Sequence, residues 1–272
     1  MRETVRDDQY STQELSAVLA DYLQRFTTLV ALHDGSTDCT AELQQIMADY
    51  SKFVTDDGNE APLAELKRRG PADFSDLVAG LRTYSAHGAS IMEKYRALNL
   101  LDGRVESFGY FDNVEACIEE EFGAFQLTSD SKVMFVGSGS FPMTPLYIAE
   151  RTGASVVGVD VDVEAIDLGR RVVQLLGSAL DITLENIPAE ALPFSREATH
   201  IIFSSTVEVK YDLLHSLHPL TRDDVVVAMR FGNRLKSLFN YPMQEVDPTK
   251  WRLAETVRRP NHVFDIALYV KM

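Results

Sequence analysis

The residues best suited to chemistry begin where an apolar run, Val133-Met-Phe-Val136, passes directly into Gly137-Ser138-Gly139-Ser-Phe-Pro142. A strand that empties into a glycine turn and then a helix lets backbone approach a nucleotide-like ligand, because a Cβ at either glycine would occupy the ligand's place. Pro142 suits the first position of the helix that follows, where its missing N–H costs nothing. The dinucleotide fingerprint asks for a third glycine where this chain has Pro142, so the pair of glycines does not specify NAD. Asp160 stands about 20 residues further on, at the end of a second apolar run, Val157-Gly-Val-Asp160-Val161-Asp162. A carboxylate there can accept both ribose hydroxyls of an adenosine and disfavours a 2′-phosphate. The alternative is that the glycines only make a tight turn and the acids only cap a helix. Glu185-Asn186-Ile187 could flank an adenine, and Ser204-Ser-Thr206 could face the reacting part of the ligand; both could also be polar loops. Arg230 could hold an α-carboxylate of donor or acceptor through its forked guanidinium, or pair with one of the chain's many acids, with Tyr241-Pro242 shaping the pocket wall. His215 and His218 sit three apart on an expected helix, but no third ligand accompanies them, and two exposed histidines are expected instead of a metal site.

These residues need a scaffold, and the periodicity supplies one. From residue 132 onward, short β-branched runs alternate with amphipathic stretches. Strands are expected at Lys132–Val136, Ser155–Val159, Asp181–Leu184, His200–Phe203, Val225–Met229 and Phe264–Val270, with helices at Thr144–Arg151, Val163–Leu176, Tyr211–Leu217 and Leu235–Leu238. That alternation predicts a doubly wound, Rossmann-like parallel sheet, an α/β fold whose ligands bind at the carboxyl ends of the strands. The final strand, placed as in methyltransferase-like sheets, together with Asp160, favours S-adenosylmethionine (SAM) over NAD. Before residue 126 the grammar is helical. Apolar positions recur at three- and four-residue steps over Gln13–Leu32, over Leu43–Val54, and from Phe74 to Leu98, where Gly80 and Gly88 are expected to weaken or kink the helix. A fourth helix is expected from Asn113 to about Phe122, and the polar stretch Asp56–Pro71 reads as a loop. The expected division is a helical N-terminal domain over 1–125 and the SAM-binding sheet domain over 126–272.

The chain's 272 residues are 45% apolar and 25% charged, the composition of an ordinary globular protein and not of a disordered one. Forty-one acidic residues against 26 basic ones leave a formal charge of −15, which argues against nucleic acid and anionic membranes as partners. Two cysteines, Cys39 and Cys117, cannot form a disulfide framework and suit a reducing compartment. The first residues lack the apolar run of a signal peptide, and no stretch is long and apolar enough to span a bilayer, so a cytoplasmic location is expected. Self-association as a homodimer is left open.

In combination, several motifs are similar to one family. They are Leu101-Asp-Gly103, Gly109-Tyr-Phe-Asp-Asn113, Glu119-Glu-Glu-Phe-Gly123, Val136-Gly-Ser-Gly139 with Pro142-Met-Thr144, Asp167-Leu-Gly-Arg-Arg171, His200-Ile-Ile-Phe-Ser-Ser205, Met229-Arg-Phe-Gly232 with Phe239-Asn-Tyr-Pro242, and Phe264-Asp-Ile-Ala-Leu-Tyr269. Over roughly residues 93 to 270 the chain resembles the nicotianamine-synthase-like aminobutanoyltransferases, and within them the staphylopine-synthase branch, histidine 2-aminobutanoyltransferases of opine-metallophore biosynthesis. The resemblance implies a helical domain over a SAM-binding sheet. It implies transfer of the 3-amino-3-carboxypropyl arm of SAM, in place of its methyl, to the α-amine of histidine, with the D-isomer favoured and 5′-methylthioadenosine as coproduct. It also implies that Glu93 takes the amine's proton and that Tyr110 orients or relays it; on their own, Glu93 reads as a surface acid and Tyr110 as packing. No metal is expected to be needed for catalysis, and Glu119–Glu121 reads as a solvated face. Two rival readings remain, an ordinary small-molecule methyltransferase and a non-catalytic SAM-binding regulator.

Overall fold

The computed structural model describes residues 10–33, 40–104 and 126–272. Four helices come first: α1 (Thr12–Leu32), α2 (Thr40–Thr55), α3 (Glu60–Arg69) and α4 (Pro71–Leu101). A seven-stranded sheet follows, made of β1 (Lys132–Val136), β2 (Ser155–Val159), β3 (Ile182–Glu185), β4 (His200–Phe203), β5 (Val226–Phe231), β6 (Trp251–Val257) and β7 (Asp265–Lys271), interleaved with α5 (Met143–Thr152), α6 (Val163–Leu176) and α7 (Lys210–Leu217). The strand order is β3-β2-β1-β4-β5-β7-β6. The pairs from β3 through β5 are parallel, whereas β7 runs antiparallel to both β5 and β6. The expected doubly wound sheet is therefore present, with an antiparallel final strand inserted beside β5.

Successive strand residues face opposite sides of the sheet, and each side has its own cover. Val133, Phe135, Ile202, Ala228 and Leu268 share one core with Leu19, Phe26, Ile46, Tyr50 and Met92 of the N-terminal helices. Met134, Val136, Ile201, Phe203 and Val227 share another with Tyr211, Leu214 and Leu217 of α7. The boundary expected between 125 and 126 falls at the end of an undescribed segment.

Two local features depart from the sequence reading. The stretch read as a loop contains α3, which buries only Pro62 and Leu63 and so shows almost no apolar period. It is held by charge: Glu60 lies in its first turn, Lys67, Arg68 and Arg69 in its last, and Glu65 bonds Arg68 and Arg69. β6 was also not anticipated, because as an edge strand it buries Trp251 and exposes most of its remaining residues, including charged ones. The helix expected from Phe74 is α4, which is helical through Gly80 and Gly88. There the missing side chains make room for α1 and α2; a Cβ at Gly80 would lie 3.1 Å from a methyl of Leu23, and one at Gly88 3.3 Å from a methyl of Leu43. The helix expected from Asn113 lies outside the described residues.

Candidate active site

The carboxyl ends of β1, β2 and β4 open beneath α4, and two connected hollows lie there. The outer one is a cavity of about 490 Å3. Its floor is the β1 turn and the β2 end, including Gly137, Gly139, Asp160 and Val161. One wall is the face of α4 bearing His87, Ser90 and Glu93, and another is the loop after β4, from Ser204 to Glu208. The inner one is a chamber of about 70 Å3 lined by Ser138, Phe141, Thr144, Arg230, Phe264 and Phe135, among others. Ala89, Glu93, Gly137, Ser204 and Thr206 border both.

The glycine turn takes its shape from backbone that only glycine adopts readily, with φ of 86° at Gly137 and 65° at Gly139. Asp160 locks it. One carboxylate oxygen accepts from the Gly139 N–H at 2.9 Å and the other from the Asp162 N–H at 3.0 Å, which leaves further lone pairs directed to the cavity. Asn186 donates its side-chain amide to the Asp160 carbonyl at 2.8 Å, so it steadies the acidic turn from behind and does not line either hollow. Val161 is 95% exposed and Ile187 40% exposed, both against the outer cavity, where they form apolar surface of the kind an adenine ring can lie on. Pro142 is buried at the N-cap of α5, one residue before the expected position, packed beneath the turn against α6.

Glu93 comes from the opposite side, and the sequence offered no local signal for its placement. A Cβ on Gly139 would fall on the Glu93 carboxylate, so the second glycine of the turn makes room for this acid. Glu93 opens only partly to the cavity. Desolvation, reinforced by the nearby Asp160 charge, pushes its pKa up to about 8, against smaller opposing contributions from the Ser140 N–H and Arg96. The helix carrying Glu93 is tied to the acidic turn by Lys94, whose ammonium bonds Asp162 at 3.0 Å and Glu164 at 2.6 Å.

Arg230 is 3% exposed. Its guanidinium lies 5.2 Å from the ring centre of Phe135 and 4.9 Å from that of Phe264, and donates to the Thr144 hydroxyl at 3.2 Å. Behind it, the fully buried Lys210 donates to the carbonyls of Ser205, Arg230 and Tyr241 at 3.1, 2.7 and 3.2 Å, stitching together the chain segments at the ends of β4 and β5. Burial lowers the Lys210 pKa to about 7. Tyr241 does not line either hollow; burial and the nearby Glu208 charge raise its pKa. Lys210 and Glu208 were not singled out in the sequence, since a lysine and an acid in a polar loop carry no periodic signature.

Tyr110, Cys39, Cys117 and Glu119–Glu121 lie outside the described residues. His215 receives the Lys250 ammonium at 2.8 Å and His218 packs edge-on against Trp251, so this pair is accounted for by packing. Among the described residues no cluster of three or more metal-ligating side chains occurs, and no helix is long and apolar enough to cross a membrane.

A glycine turn, an acid at the second strand end and an inserted antiparallel last strand define a Rossmann-like fold whose cavity lies at the strand ends. No protein-family model matches the chain. It is 31% identical over 181 residues to the L-histidine 2-aminobutanoyltransferase of Pseudomonas aeruginosa, covering 66% of this chain and 69% of that one. It is 32% identical over 178 residues to the protein of that name from Yersinia pestis, covering 65% and 66%. The chain belongs to this family of aminobutanoyltransferases, and it is an enzyme of that class. The solved structure of MtNAS in complex with MTA and tNA has the same fold, with a TM-score of 0.78 at 15% identity over 95% of this chain and 98% of that one. A mutant of MtNAS in complex with S-adenosylmethionine superposes with a TM-score of 0.72, also at 15% identity, over 92% and 98%.

Proposed function

We propose that this protein transfers the 3-amino-3-carboxypropyl arm of SAM to the α-amine of histidine and releases 5′-methylthioadenosine. The observation that carries the reading is the pair of hollows meeting at Glu93. SAM suits them: the glycine turn admits close backbone approach, Asp160 has lone pairs for ribose hydroxyls, Val161 and Ile187 offer an apolar rest for adenine, and the acids around the outer cavity favour a sulfonium cation.

Charge divides the two hollows. The inner chamber is the smaller, about 70 Å3 against about 490 Å3, and it carries the buried guanidinium, which suits the carboxylate end of the donor's arm. On this reading Arg230 anchors the donor's carboxylate, and histidine enters from the outer cavity. This arrangement presents the arm's Cγ, and not the methyl, at the junction beside Glu93. The sulfonium supplies the leaving group. The acceptor nitrogen bonds to Cγ as the Cγ–S bond breaks, the bonding pair leaves on sulfur as a neutral thioether, and the amine proton passes to the Glu93 carboxylate. Glu93 is protonated at neutral pH when its surroundings hold no cation, and a sulfonium beside it favours the ionised form that can act as base. Tyr110 is assigned the proton-relaying hydroxyl on the sequence resemblance alone.

The finer reading, that the D-isomer is preferred and that the product enters a staphylopine-like metallophore, also rests on that resemblance; the relatives named above carry L-histidine in their names. The test is incubation of the purified protein with SAM and each histidine isomer, followed by mass spectrometry. Methylthioadenosine with a histidine adduct heavier by the aminobutanoyl group is the expected result. S-adenosylhomocysteine would make the protein a methyltransferase, and binding without turnover would make it a regulator.

A further inference from the structure

The parallel ladder between β4 and β5 ends at the pair Phe203 and Met229. Beyond it β5 continues beside β7, while the chain after β4 turns into a loop. The inner chamber lies at this split, with Ser204, Ser205 and Thr206 on one lip and Arg230 on the other. Two groups cross the split where the ladder no longer does. The Tyr241 backbone donates to the Ser205 carbonyl at 3.3 Å and accepts from the Gly232 N–H at 3.1 Å. The Lys210 ammonium, from the first residue of α7, donates to the carbonyls of Ser205 and Tyr241 and, at 2.7 Å, to that of Arg230 itself. Lys210 is fully buried, and among the described residues no carboxylate pairs with it; the charge acting on it is the Arg82 cation. An ammonium in such a place pays desolvation with no ion pair in return, so an apolar side chain would fill the space at lower cost. What no apolar side chain supplies is three donors at one point.

We propose that Lys210 is a positioning residue for the donor: by bonding the carbonyls of Ser205, Arg230 and Tyr241 it fixes the split between β4 and β5, and so the place where the arm's carboxylate meets Arg230. This deepens the proposed activity and rests on it. The ammonium touches neither substrate. It acts through the Arg230 backbone, from which the guanidinium projects between Phe135 and Phe264 toward the Thr144 hydroxyl. Without it the Arg230 carbonyl loses this donor, and the two lips are joined across the Tyr241 backbone alone by its bonds of 3.3 and 3.1 Å. The adenosine end of the donor rests on the β1 turn and the β2 end, which Lys210 does not bond. Loss of the ammonium therefore acts on the arm and spares the nucleoside.

The experiment compares SAM with methylthioadenosine, which lacks the arm, by calorimetric titration of the wild type, Lys210→Met, Lys210→Gln and Arg230→Met, with steady-state kinetics in parallel. Lys210→Met keeps the length of the side chain and removes its donors; Lys210→Gln is the second variant in case the first does not fold. Lys210→Met should weaken SAM by roughly tenfold and methylthioadenosine by less than about twofold, with KM for SAM raised accordingly and KM for histidine nearly unchanged. Lys210→Gln should shift the same ratio in the same direction. Equal losses for the two ligands, or no loss, would overturn the positioning role. Failure of both Lys210 variants to fold would also overturn it, by assigning the ammonium to the core. If Arg230→Met lost SAM selectively and a folded Lys210 variant did not, the chamber would keep the donor's carboxylate and only Lys210 would lose its role. If neither Arg230→Met nor the Lys210 variants changed the ratio, the placement of that carboxylate would fall as well. A wild type that releases no methylthioadenosine from SAM and histidine would sink the activity and the positioning role together.

Discussion

The outer cavity and the inner chamber share a border yet select opposite charges. The outer cavity is wide and lined by carboxylates, suited to a sulfonium and an amine; the chamber is small and aromatic, with one buried guanidinium suited to a carboxylate. A zwitterionic donor arm laid across the junction is pulled the same way by both ends. In water such charges are screened, but between Phe135 and Phe264 the guanidinium acts in a low dielectric, where a correctly placed carboxylate is worth much more. Regioselectivity then becomes a matter of which carbon the two hollows hold beside Glu93, because positioning alone can supply several kcal/mol of a barrier.

Removing the group at the border should have the largest effect. Glu93→Gln should depress turnover by roughly 10²–10⁴-fold while leaving SAM affinity nearly intact, as read by single-turnover kinetics and calorimetric titration. Full activity in that variant would end the assignment of the base. Breaking the chamber comes next. Arg230→Met should raise KM for SAM by roughly 10²-fold with the acceptor's KM little changed, since truncating a buried charge partner costs about 2–5 kcal/mol. If the acceptor's KM rose instead, the two carboxylates would have been assigned to the wrong hollows. On the floor of the outer cavity, Asp160→Ala should weaken SAM binding by roughly tenfold or somewhat more, by losing ribose contacts and freeing the Gly139 N–H.

The smallest effects are those of pH. Because Glu93 titrates near about 8 in the free protein, kcat/KM for SAM should rise with pH through that region, and this limb should vanish in Glu93→Gln. The same raised pKa fixes the sign of its linkage to stability. The folded state binds this proton more tightly than the unfolded chain, so the contribution is fully present below the ordinary carboxylate range and is lost as pH rises through about 8. Thermal denaturation of the free protein should therefore show a steeper fall between pH 6 and 9 for the wild type than for Glu93→Gln. Parallel curves would mean that the Glu93 carboxylate is solvated.

Much of the cofactor side was legible because it is local. A strand, a glycine turn, a helix and an acid at the next strand end lie within a short stretch of chain, so Gly137, Gly139 and Asp160 could be read from order and spacing, and they do meet in the outer cavity. The opposite wall was not legible in this way. Glu93 lies beside Met92 on a long helix and has the pattern of a surface acid. Only the packing of α4 over the sheet, with Lys94 reaching Asp162 and Glu164, turns it onto Gly139. Arg230 could be singled out as a carboxylate partner, but its enclosure between Phe135 and Phe264 could not be read from the chain. Tyr241 and Asn186 do not line either hollow, and Asn186 donates to the carbonyl of Asp160, which does.

From the order of residues alone came the succession of helices and strands, the turn that needs glycine, and the sign of the surface charge, all properties of neighbours along the chain. The edge strand β6 and the charge-held helix α3 escaped because their apolar faces are too narrow to leave a period. The tertiary fold alone decided which acid loses its water, which arginine is enclosed, and which residues the two hollows share. Desolvation and distance depend on groups brought together from α4, the β4 loop and β5, which are remote in the chain and meet only when the core closes.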